Sequence, residues 1–578
     1  MAAVVVGVNH HLLLLCCILF AGAAVESLSY DYSATIECLG EPLKPQYEGG
    51  IIINPELNHG LSGWYVFGQA KIENRSSDRG NSFIVAHSRN KPSDSFSQKL
   101  YLLKDMLYTF SAWVQVVEGT VPVTAVFTTT SDGFIHAGAV IAESGCWSML
   151  KGGLTVNSSG PVELYFETKN TTVEIWVDSV SLQPFTKDQW RAHQDQSVEK
   201  VRKRKVRFQA VDANGKGKTL FAGAKVSIHQ KKPSFPFGND ITKAILDYPA
   251  YRNWFASRFT VTTFENEMKW YSTENFAGKE DYSVADAMLR VVKRLGIQVR
   301  GHNVFWDDPQ FQPSWVKSLS PDQLRQAAAK RIDSVVSRYK GQLIAWDVVN
   351  ENLHFSFFED RLGKNASTAF YKRAHQLDGN TTMFMNDYNT IEDSRDSSST
   401  PPKYLQKLRE IQSASPGKMG IGLESHFGTP NIPYMRSSID VLAATKLPIW
   451  ITELDVTSSP NQAQYLEEIL REAHSHPAIK GIVMWAAWHP EGCYKMCLTD
   501  NNFKNLPAGN VVDKFINEWR HRNLVGSIDS NGSFEVSLFH GDYDITITHP
   551  SMNFNLTKNF KLTEGNSEKI LLHFHVND

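Results

Sequence analysis

Apolar and polar positions alternate with a period of two in the N-terminal part of the chain. Between residues 50 and 186, runs such as LYTFSAWVQV, VPVTAVFTTT and VEIWVDSVSL are separated by turn residues. No segment of helical length and period interrupts them. The pattern predicts an all-β jelly-roll sandwich over residues 50–186.

The pattern changes between residues 235 and 520, where apolar strands alternate with helical segments such as DQLRQAAAKRIDSVVSRY and AQYLEEILREAHSH. The candidate strands are FPFG, FTVTTFE, IQVRGHNVF, LIAWDVVNE, TMFMNDYN, MGIGLESHF, PIWITELD and GIVMWAAW. Eight strands over a region of this length are typical of a (β/α)8 TIM barrel.

Two smaller regions flank the barrel. Residues 187–234 begin with a charged stretch, a linker or a helix, and continue as VRFQAVDANGKGKTLFAGAKVSI, which resembles a β-hairpin with a glycine-containing turn. The basic run KVRKRKVRF is a docking patch or an exposed linker strand, and its context favours the strand. Residues 524–578 return to β texture and predict a small β-rich C-terminal region.

Length and charge narrow the function classes. A chain of 578 residues should contain more than one domain. The formal net charge of −2 gives no indication of nucleic acid or of an anionic membrane surface as partner. Residues 1–24 resemble a secretory signal peptide, although their start has histidines in place of Lys or Arg. No other apolar stretch is long enough to span a bilayer. We therefore expect an exported protein, extracellular or in a cell wall.

Cysteines and glycosylation motifs agree with export. After loss of Cys16 and Cys17 with the signal peptide, Cys38, Cys146, Cys493 and Cys497 allow three full pairings. The short CYKMC spacing favours a Cys493–Cys497 disulfide, and no His or Cys cluster supports a metal site. No cofactor is expected. The N-x-S/T motifs predict glycosylation at Asn74, Asn157, Asn170, Asn365, Asn380, Asn531 and Asn555.

Two candidate barrel strands carry a carboxylate at or near the carboxyl end. AWDVVNE ends at Glu351, and PIWITELD has Glu453 at its centre. The carboxyl-end face of a barrel is where its enzymes keep their chemistry. A pair of facing carboxylates is the minimum set for hydrolysing a glycosidic bond. A single glutamate here would be read as a strand-capping ion pair, but two in matching contexts favour catalysis.

The barrel region resembles glycoside hydrolase family 10, the endo-β-1,4-xylanases, through TTFENEMKW, RGHNVFW, WDVVNE, MNDYN, GLESHF, ITELD and VMWAAW. The resemblance implies a retaining endo-1,4-β-xylanase that acts, as a monomer, on arabinoxylan or glucuronoxylan. Two alternatives stay open: a transglycosylase on the same scaffold, and a non-catalytic xylan-binding wall protein.

The resemblance also implies residue roles. Glu351 would be the general acid/base, Asn350 would bind the sugar 2-hydroxyl, and Glu453 would be the nucleophile. His426 would hydrogen-bond and orient Glu453, and Asp455 would hold the other nitrogen of that histidine. The implied substrate-binding residues are Glu265, Asn266, Lys269, His302, Trp306, Tyr388, Glu424 and Trp485.

The chain departs from the family pattern at three places. Asp307, Asp308 and Pro309 replace a His-x-Gln string, Glu424 stands where many members have Gln, and Cys493 stands where an aromatic residue is expected. No catalytic group is lost, so these departures bear on substrate preference and rate.

Residues 50–186 resemble the family 22 carbohydrate-binding modules through NPELNHGLSGW, SFSQKL, LYTFSAWVQV and EIWVDSVSL. That resemblance implies a xylan-binding cleft with Tyr165 and Glu167 as candidate contacts. The segment SRNKPSDSFSQKL lacks the tryptophan expected to stack on a sugar. The alternative is a sandwich that has lost sugar binding and serves as a spacer.

Overall fold

The computed structural model describes residues 28–211, 221–414, 417–520, 523–549, 554–565 and 569–575. The predicted signal peptide, residues 1–24, lies outside this part of the chain. Among the described residues, no helix has both the length and the apolar character needed to cross a bilayer.

The N-terminal domain is a sandwich of two five-stranded sheets, as predicted. Its strands are β1 (Tyr65–Phe67), β2 (Lys71–Ser76), β3 (Ser82–His87), β4 (Ser95–Leu102), β5 (Leu107–Val116), β6 (Thr120–Thr129), β7 (Gly133–Glu143), β8 (Ser148–Leu154), β9 (Gly160–Glu167) and β10 (Ile175–Phe185). The sheet orders are β1-β4-β9-β6-β7 and β2-β3-β10-β5-β8. Alternate residues face inwards, and Phe96, Phe110, Phe127 and Phe166 pack together in the core.

The charged stretch after the sandwich is a helix, α1 (Lys187–Val201), followed by strands β11 (Lys203–Val211) and β12 (Lys225–Pro233). A capping box between Thr186 and Gln189 starts the helix. Trp190 Nε1 then donates a 2.8 Å hydrogen bond to buried Glu472 of the barrel. The helix is therefore fastened to the barrel and is not a free linker.

The predicted barrel is confirmed. Its strands are β13 (Phe237–Asn239), β14 (Val261–Thr263), β15 (Gln298–Trp306), β16 (Ala345–Asn350), β17 (Thr382–Asp387), β18 (Met419–Leu423), the short β19 (His426–Phe427), β20 (Ile449–Val456) and β21 (Ile479–Met484). The parallel order β18-β17-β16-β15-β14-β13-β21-β20 closes through pairing of β18 with β20. The closed sheet has no open edge. Because its eight main strands are parallel, their carboxyl ends all lie at the same face of the barrel.

Helices surround this barrel. They are α2 (Ala244–Asp247), α3 (Pro249–Ala256), α4 (Trp270–Thr273), α5 (Ser283–Arg294), α6 (Ser314–Lys317), α7 (Pro321–Tyr339), α8 (Phe357–Leu362), α9 (Ala366–Leu377), α10 (Pro401–Ala414), α11 (Ile432–Ala443), α12 (Gln462–Ser475) and α13 (Pro507–Glu518). Their buried sides form one hydrophobic core with the outer faces of the strands.

The C-terminal strands are β22 (Leu524–Ser527), β23 (Ser533–Phe539), β24 (Gly541–His549), β25 (Phe554–Leu562) and β26 (Lys569–His575). They pair with β11 and β12 in two sheets, ordered β23-β11-β26 and β22-β12-β24-β25. The predicted β11–β12 hairpin is therefore wrong, because the two strands belong to different sheets. The favoured exposed linker strand in KVRKRKVRF is also wrong, since Val206 and Phe208 of β11 are buried in the core between these sheets.

Two disulfides join the four described cysteines, Cys38 with Cys146 and Cys493 with Cys497. The first ties the N-terminal segment to the sandwich, and the second closes a short loop after β21. All seven asparagines of the predicted glycosylation motifs are exposed. Each of these motifs is therefore accessible, and glycosylation at each remains a prediction.

Candidate active site

Strand register brings the two predicted catalytic carboxylates to the same face of the barrel. Asn350, the last residue of β16, lies beside Trp306 of β15 and Asn386 of β17. Glu351 follows with a positive φ of 59°, a conformation that non-glycine residues adopt rarely and mostly at functional sites. Its backbone N–H donates to Asn386 O at 2.9 Å, which holds this turn in place.

The Glu351 carboxyl lies in a nearly dry environment. Its exposed fraction is 9%, and Trp306 Nε1 donates a 2.7 Å hydrogen bond to Oε2. Burial raises the pKa of Glu351 to about 8, and the charges of Asp387 and Glu453 act in the same direction. The Trp306 hydrogen bond and the Lys269 charge oppose this rise. The carboxyl is therefore mostly protonated at neutral pH, as a general acid must be.

Glu453 lies in β20 and is held by an amide that the sequence reasoning did not assign. Asn386 Nδ2 is 2.8 Å from Glu453 Oε1 and 2.9 Å from Asn350 Oδ1. Thr452 Oγ1 donates to Asn386 Oδ1 at 2.6 Å and fixes the orientation of the amide. Asn386 therefore couples Glu453 to Asn350. The MNDYN string contained this residue, but only the fold shows that its side chain points between them.

His426 does not make the predicted contact with Glu453. Its Nε2 is 3.9 Å from Glu453 Oε2, beyond hydrogen-bond distance, and 3.4 Å from Glu424 Oε2. Its Nδ1 is 3.0 Å from Asp455 Oδ2, since β19 and β20 place the two residues side by side, but the two atoms are not aligned as a hydrogen bond. Burial lowers the pKa of His426, but Asp455 and Glu424 outweigh it and raise the pKa well above its usual value.

Glu424 is a third carboxyl in this cluster, 1% exposed. Burial and the charges of Glu453 and Glu351 raise its pKa well above the ordinary range, and the neighbouring His426 opposes this rise. Glu424, His426 and Glu453 bring three ligand atoms within 4.8 Å of one another. Asn386 Nδ2 lies 2.8 Å from Glu453 Oε1 and 3.2 Å from Glu424 Oε1, so these groups form a hydrogen-bond network with one another.

On the opposite side of Glu351, a buried lysine lies among aromatic rings. Lys269 Nζ lies over the rings of Trp306, at 4.4 Å, and Trp485, at 5.7 Å. It is also 3.5 Å from Asn266 Oδ1. Burial lowers the pKa of Lys269, while the surrounding glutamates oppose this. His302 Nδ1 is 3.0 Å from Asp347 Oδ2, and its ring packs edge-on against Trp485. Cationic, amide and aromatic groups that converge in this way suit a sugar ring.

Glu265 belongs to the same side of the site and has a partner that the sequence did not reveal. His489 Nε2 is 2.9 Å from Glu265 Oε2. This hydrogen bond, opposed by burial, raises the pKa of His489. His489 comes directly after the VMWAAW string. No sequence rule could pair it with Glu265, which follows β14 and lies 224 residues earlier in the chain.

Tyr388 lies next to Glu351 on the side of β17. Its ring stacks on His354 with centroids 3.7 Å apart and planes 7° apart. His354 is 2.5 Å from Asp387 Oδ1 and 2.9 Å from Asp396 Oδ2. Burial lowers the pKa of His354, but these two carboxylates raise it to about 9. A histidinium thus supports the tyrosine ring beside the acid/base candidate.

The remaining predicted positions lie outside this cluster. Asp307 is buried, accepts from Asn352 Nδ2 at 2.7 Å and has a pKa raised by burial to about 6. Asp307 therefore supports the turn that carries Glu351, because Asn352 directly follows that residue. Tyr165 and Glu167 lie on β9 of the sandwich, where Tyr165 is 3% exposed and stacks on Phe67. A buried tyrosine cannot stack on a sugar, so the candidate contact by Tyr165 is not available in this structure.

The geometry agrees with the comparisons to known proteins. The family model described as glycosyl hydrolase family 10 matches residues 227–514. Arabidopsis thaliana endo-1,4-beta-xylanase 5 is 42% identical over 565 residues, covering 95% of this chain and 95% of the relative. Arabidopsis thaliana endo-1,4-beta-xylanase 4 is 38% identical over 579 residues, covering 96% of both chains. The chain belongs to glycosyl hydrolase family 10.

Proposed function

We propose that this protein is a secreted endo-1,4-β-xylanase that cleaves internal bonds of cell-wall xylan with retention of anomeric configuration. The names of its relatives support the substrate. The buried, protonated Glu351 beside Glu453 is the single observation that supports the chemistry. Export is supported by the N-terminal apolar segment, seven exposed glycosylation motifs and two disulfides, which form in oxidising compartments.

In the first step, Glu453 attacks the anomeric carbon while Glu351 gives its proton to the leaving oxygen. The two carboxyls can divide these roles because their surroundings differ. Asn386 donates to Glu453 at 2.8 Å and stabilises its anionic form. Glu351 is held neutral by burial and by the negative charges of Glu453 and Asp387.

In the second step, water replaces the departed sugar and attacks the glycosyl-enzyme. Esterification of Glu453 removes one of the negative charges that raise the pKa of Glu351. Glu351 then gives up its proton more readily and can act as the base. The change of role therefore follows from the chemistry of the first step and needs no movement of the protein.

Positioning groups surround the reacting carbon. Asn386 Nδ2 donates a hydrogen bond to Asn350 Oδ1, so the NH2 group of Asn350 is left to bind the sugar 2-hydroxyl. Lys269, His302 and Trp485 form the pocket for the sugar that becomes attached to the enzyme. A hydrogen bond to the 2-hydroxyl that strengthens in the transition state lowers the barrier selectively.

Product analysis on arabinoxylan and glucuronoxylan tests the proposal. Wild-type protein should release short xylo-oligosaccharides with the β-anomer formed first, and Glu351→Ala and Glu453→Ala should abolish release. Glu118→Ala is a matched control, because this exposed glutamate lies in a turn of the sandwich and is not part of the active-site cluster. Folded wild-type protein that releases no oligosaccharide would refute hydrolysis, and chain lengthening with added acceptors would identify a transglycosylase.

A further inference from the structure

A cavity of about 880 Å³ lies between the sandwich and the barrel. Strands β6, β7 and β9 form one wall, and the loop after β17 with the first half of α10 forms the other. Its volume falls in the range of about 300–1,000 Å³ that is usual for ligand sites. We name it the interdomain cleft and define it by Thr124, His136, Glu167, Asn352, Leu353 and Lys403.

The interdomain cleft begins at the acid/base residue. Asn352 and Leu353, the two residues after Glu351, both line it. Asn352 is 6% exposed, and its Oδ1 has no hydrogen-bond donor among the described residues, although its Nδ2 bonds Asp307. An unsatisfied buried acceptor costs free energy, so a donor in the cleft that reaches this oxygen after rotation of the Asn352 side chain would be favoured. Sugar hydroxyls are donors of this kind.

The position of the interdomain cleft on the barrel indicates which side of the cleaved bond would contact it. Glu265, Lys269 and Trp485 follow strands β14 and β21, on one side of Glu351. The interdomain cleft lies beyond β16 and β17, on the other side. Glu351 protonates the leaving oxygen and stands between them. The cleft is therefore on the leaving-group side of the cleaved bond.

The sandwich wall is held in a fixed position against the barrel. Lys151 of β8 is buried and contacts Asp440 of α11 at 2.8 Å. Ser437 Oγ of α11 donates to Gly152 O at 2.6 Å. The backbones approach so closely that a Cβ on Gly153 would lie 2.5 Å from Pro433. A buried ion pair with such packing is lost if the domains separate, so the two walls face each other permanently.

The charges of the cleft indicate what kind of chain it accepts. Lys169 on the sandwich wall and Lys403 on the barrel wall form no ion pair among the described residues, whereas the carboxylates of the cleft, Glu167 and Glu410, face His136 and Lys407. By contrast, Lys407 on the same helix is paired with Glu359. One unpaired ammonium on each wall suits a carboxylate on the ligand, and uronic acid substituents are the carboxylates of xylan.

We propose that the interdomain cleft binds the leaving-group side of a xylan chain, with Lys169 and Lys403 contacting its uronic acid substituents. This inference rests on the proposed function. It makes the sandwich a wall of the substrate site during each cleavage, in place of a separate module that only anchors the enzyme to the polymer.

Blocking the cleft from the sandwich side tests the proposal. Thr124→Trp fills it without changing a barrel residue, and Thr130→Trp puts the same ring at an exposed site at the end of β6. We expect Thr124→Trp to lower kcat/KM on glucuronoxylan about tenfold, because the indole would displace the part of the chain bound in the cleft. A tenfold change corresponds to about 1.4 kcal/mol of binding free energy. Both variants should keep wild-type kcat/KM on an aryl β-xylobioside, whose small leaving group does not reach the cleft.

A second set of variants tests the lysines. Lys169→Met with Lys403→Met should lower kcat/KM on glucuronoxylan and leave arabinoxylan unchanged, with less loss at high salt. All proteins are also made in an Asn170→Gln background, so that a glycan at this motif on the border of the cleft cannot differ between the variants compared. Aryl xylobioside activity shows that each variant is folded.

Each outcome decides a different part of the proposal. Wild-type activity of Thr124→Trp on glucuronoxylan would overturn the role of the cleft while the proposed function stands. Equal losses of the double lysine variant on both polysaccharides would overturn the uronic acid assignment. If the wild type cleaves neither xylan nor the xylobioside, the proposed function itself fails and the inference fails with it. If Thr124→Trp is unfolded, unchanged glucuronoxylan activity of the lysine variant would still refute the proposal.

Discussion

The hydrogen bond from Trp306 to Glu351 should set the alkaline limit of activity. Trp306 Nε1 lies 2.7 Å from Glu351 Oε2 and favours the ionised carboxylate, against the burial that raises the pKa to about 8. Trp306→Phe keeps an aromatic ring and removes the donor. The neutral acid should then persist to higher pH, and the alkaline limb of kcat/KM should move upwards.

The magnitude follows from the strength of the bond. A hydrogen bond to a charged group contributes about 1.5–3 kcal/mol, and 1.36 kcal/mol corresponds to one pKa unit. The neutral carboxyl also accepts a weaker bond, so we expect the limb to move up by about one pH unit. The sign is that of an acid: activity falls as pH rises through the pKa of Glu351, and a higher pKa moves that fall to higher pH.

The assay is kcat/KM against pH for an aryl β-xylobioside whose leaving group needs protonation. Phe311→Leu is the control, because Phe311 stacks on Trp306 with centroids 4.0 Å apart and makes no hydrogen bond to Glu351. It should loosen the indole without moving the limb. A limb that moves to lower pH in Trp306→Phe, or moves equally in both variants, would refute the reasoning.

Three further predictions concern the active-site cluster and the domain interface. Asn386→Ala removes the donor to Glu453 and should lower kcat/KM on xylan about tenfold to hundredfold, since a charge-assisted bond contributes about 1.5–3 kcal/mol; steady-state kinetics check this. Glu424→Gln keeps the shape of the side chain and removes the carboxyl 3.4 Å from His426 Nε2, so the pKa of His426 should fall in an NMR titration; an unchanged pKa would contradict this contact. Lys151→Met removes the ammonium that faces buried Asp440, which keeps only Tyr30 and His476 as close partners, and should destabilise the fold by about 3 kcal/mol in denaturant titrations. Burial raises the pKa of Asp440, but Lys151 and His476 outweigh it and lower the pKa to about 2. The stabilisation from ionised Asp440 is therefore present above the unfolded pKa of about 3.9 and is lost as pH falls through about 2. The difference in stability between variant and wild type should shrink over this range.

Local pattern was sufficient for the architecture of the sandwich and the barrel. Period-two alternation and strand-helix alternation are properties of short windows, because burial repeats with the geometry of each element. The same windows placed Glu351 and Glu453 at the carboxyl-end face, since parallel strands in a barrel all end there. Those parts of the fold and of the site can therefore be predicted from the sequence.

Long-range pairing was not readable in this way. Strands β11 and β12 look like a hairpin in their own window, yet they pair with strands about 300 or more residues away in sequence. The apolar face of β11 could be buried against any complementary sheet, and only the whole chain decides which one. The same limit hid Asn386 and His489, whose partners Glu453 and Glu265 lie on other strands.

By itself, then, the sequence determined the fold class, the family and the two carboxylates that we propose as catalytic. The tertiary structure alone decided which groups hold those carboxylates, how burial separates their protonation states, and how the sandwich faces the barrel. The reason is physical: strand and helix periodicity depends on neighbours in sequence, whereas a pKa or a cleft depends on atoms that folding brings together from distant segments.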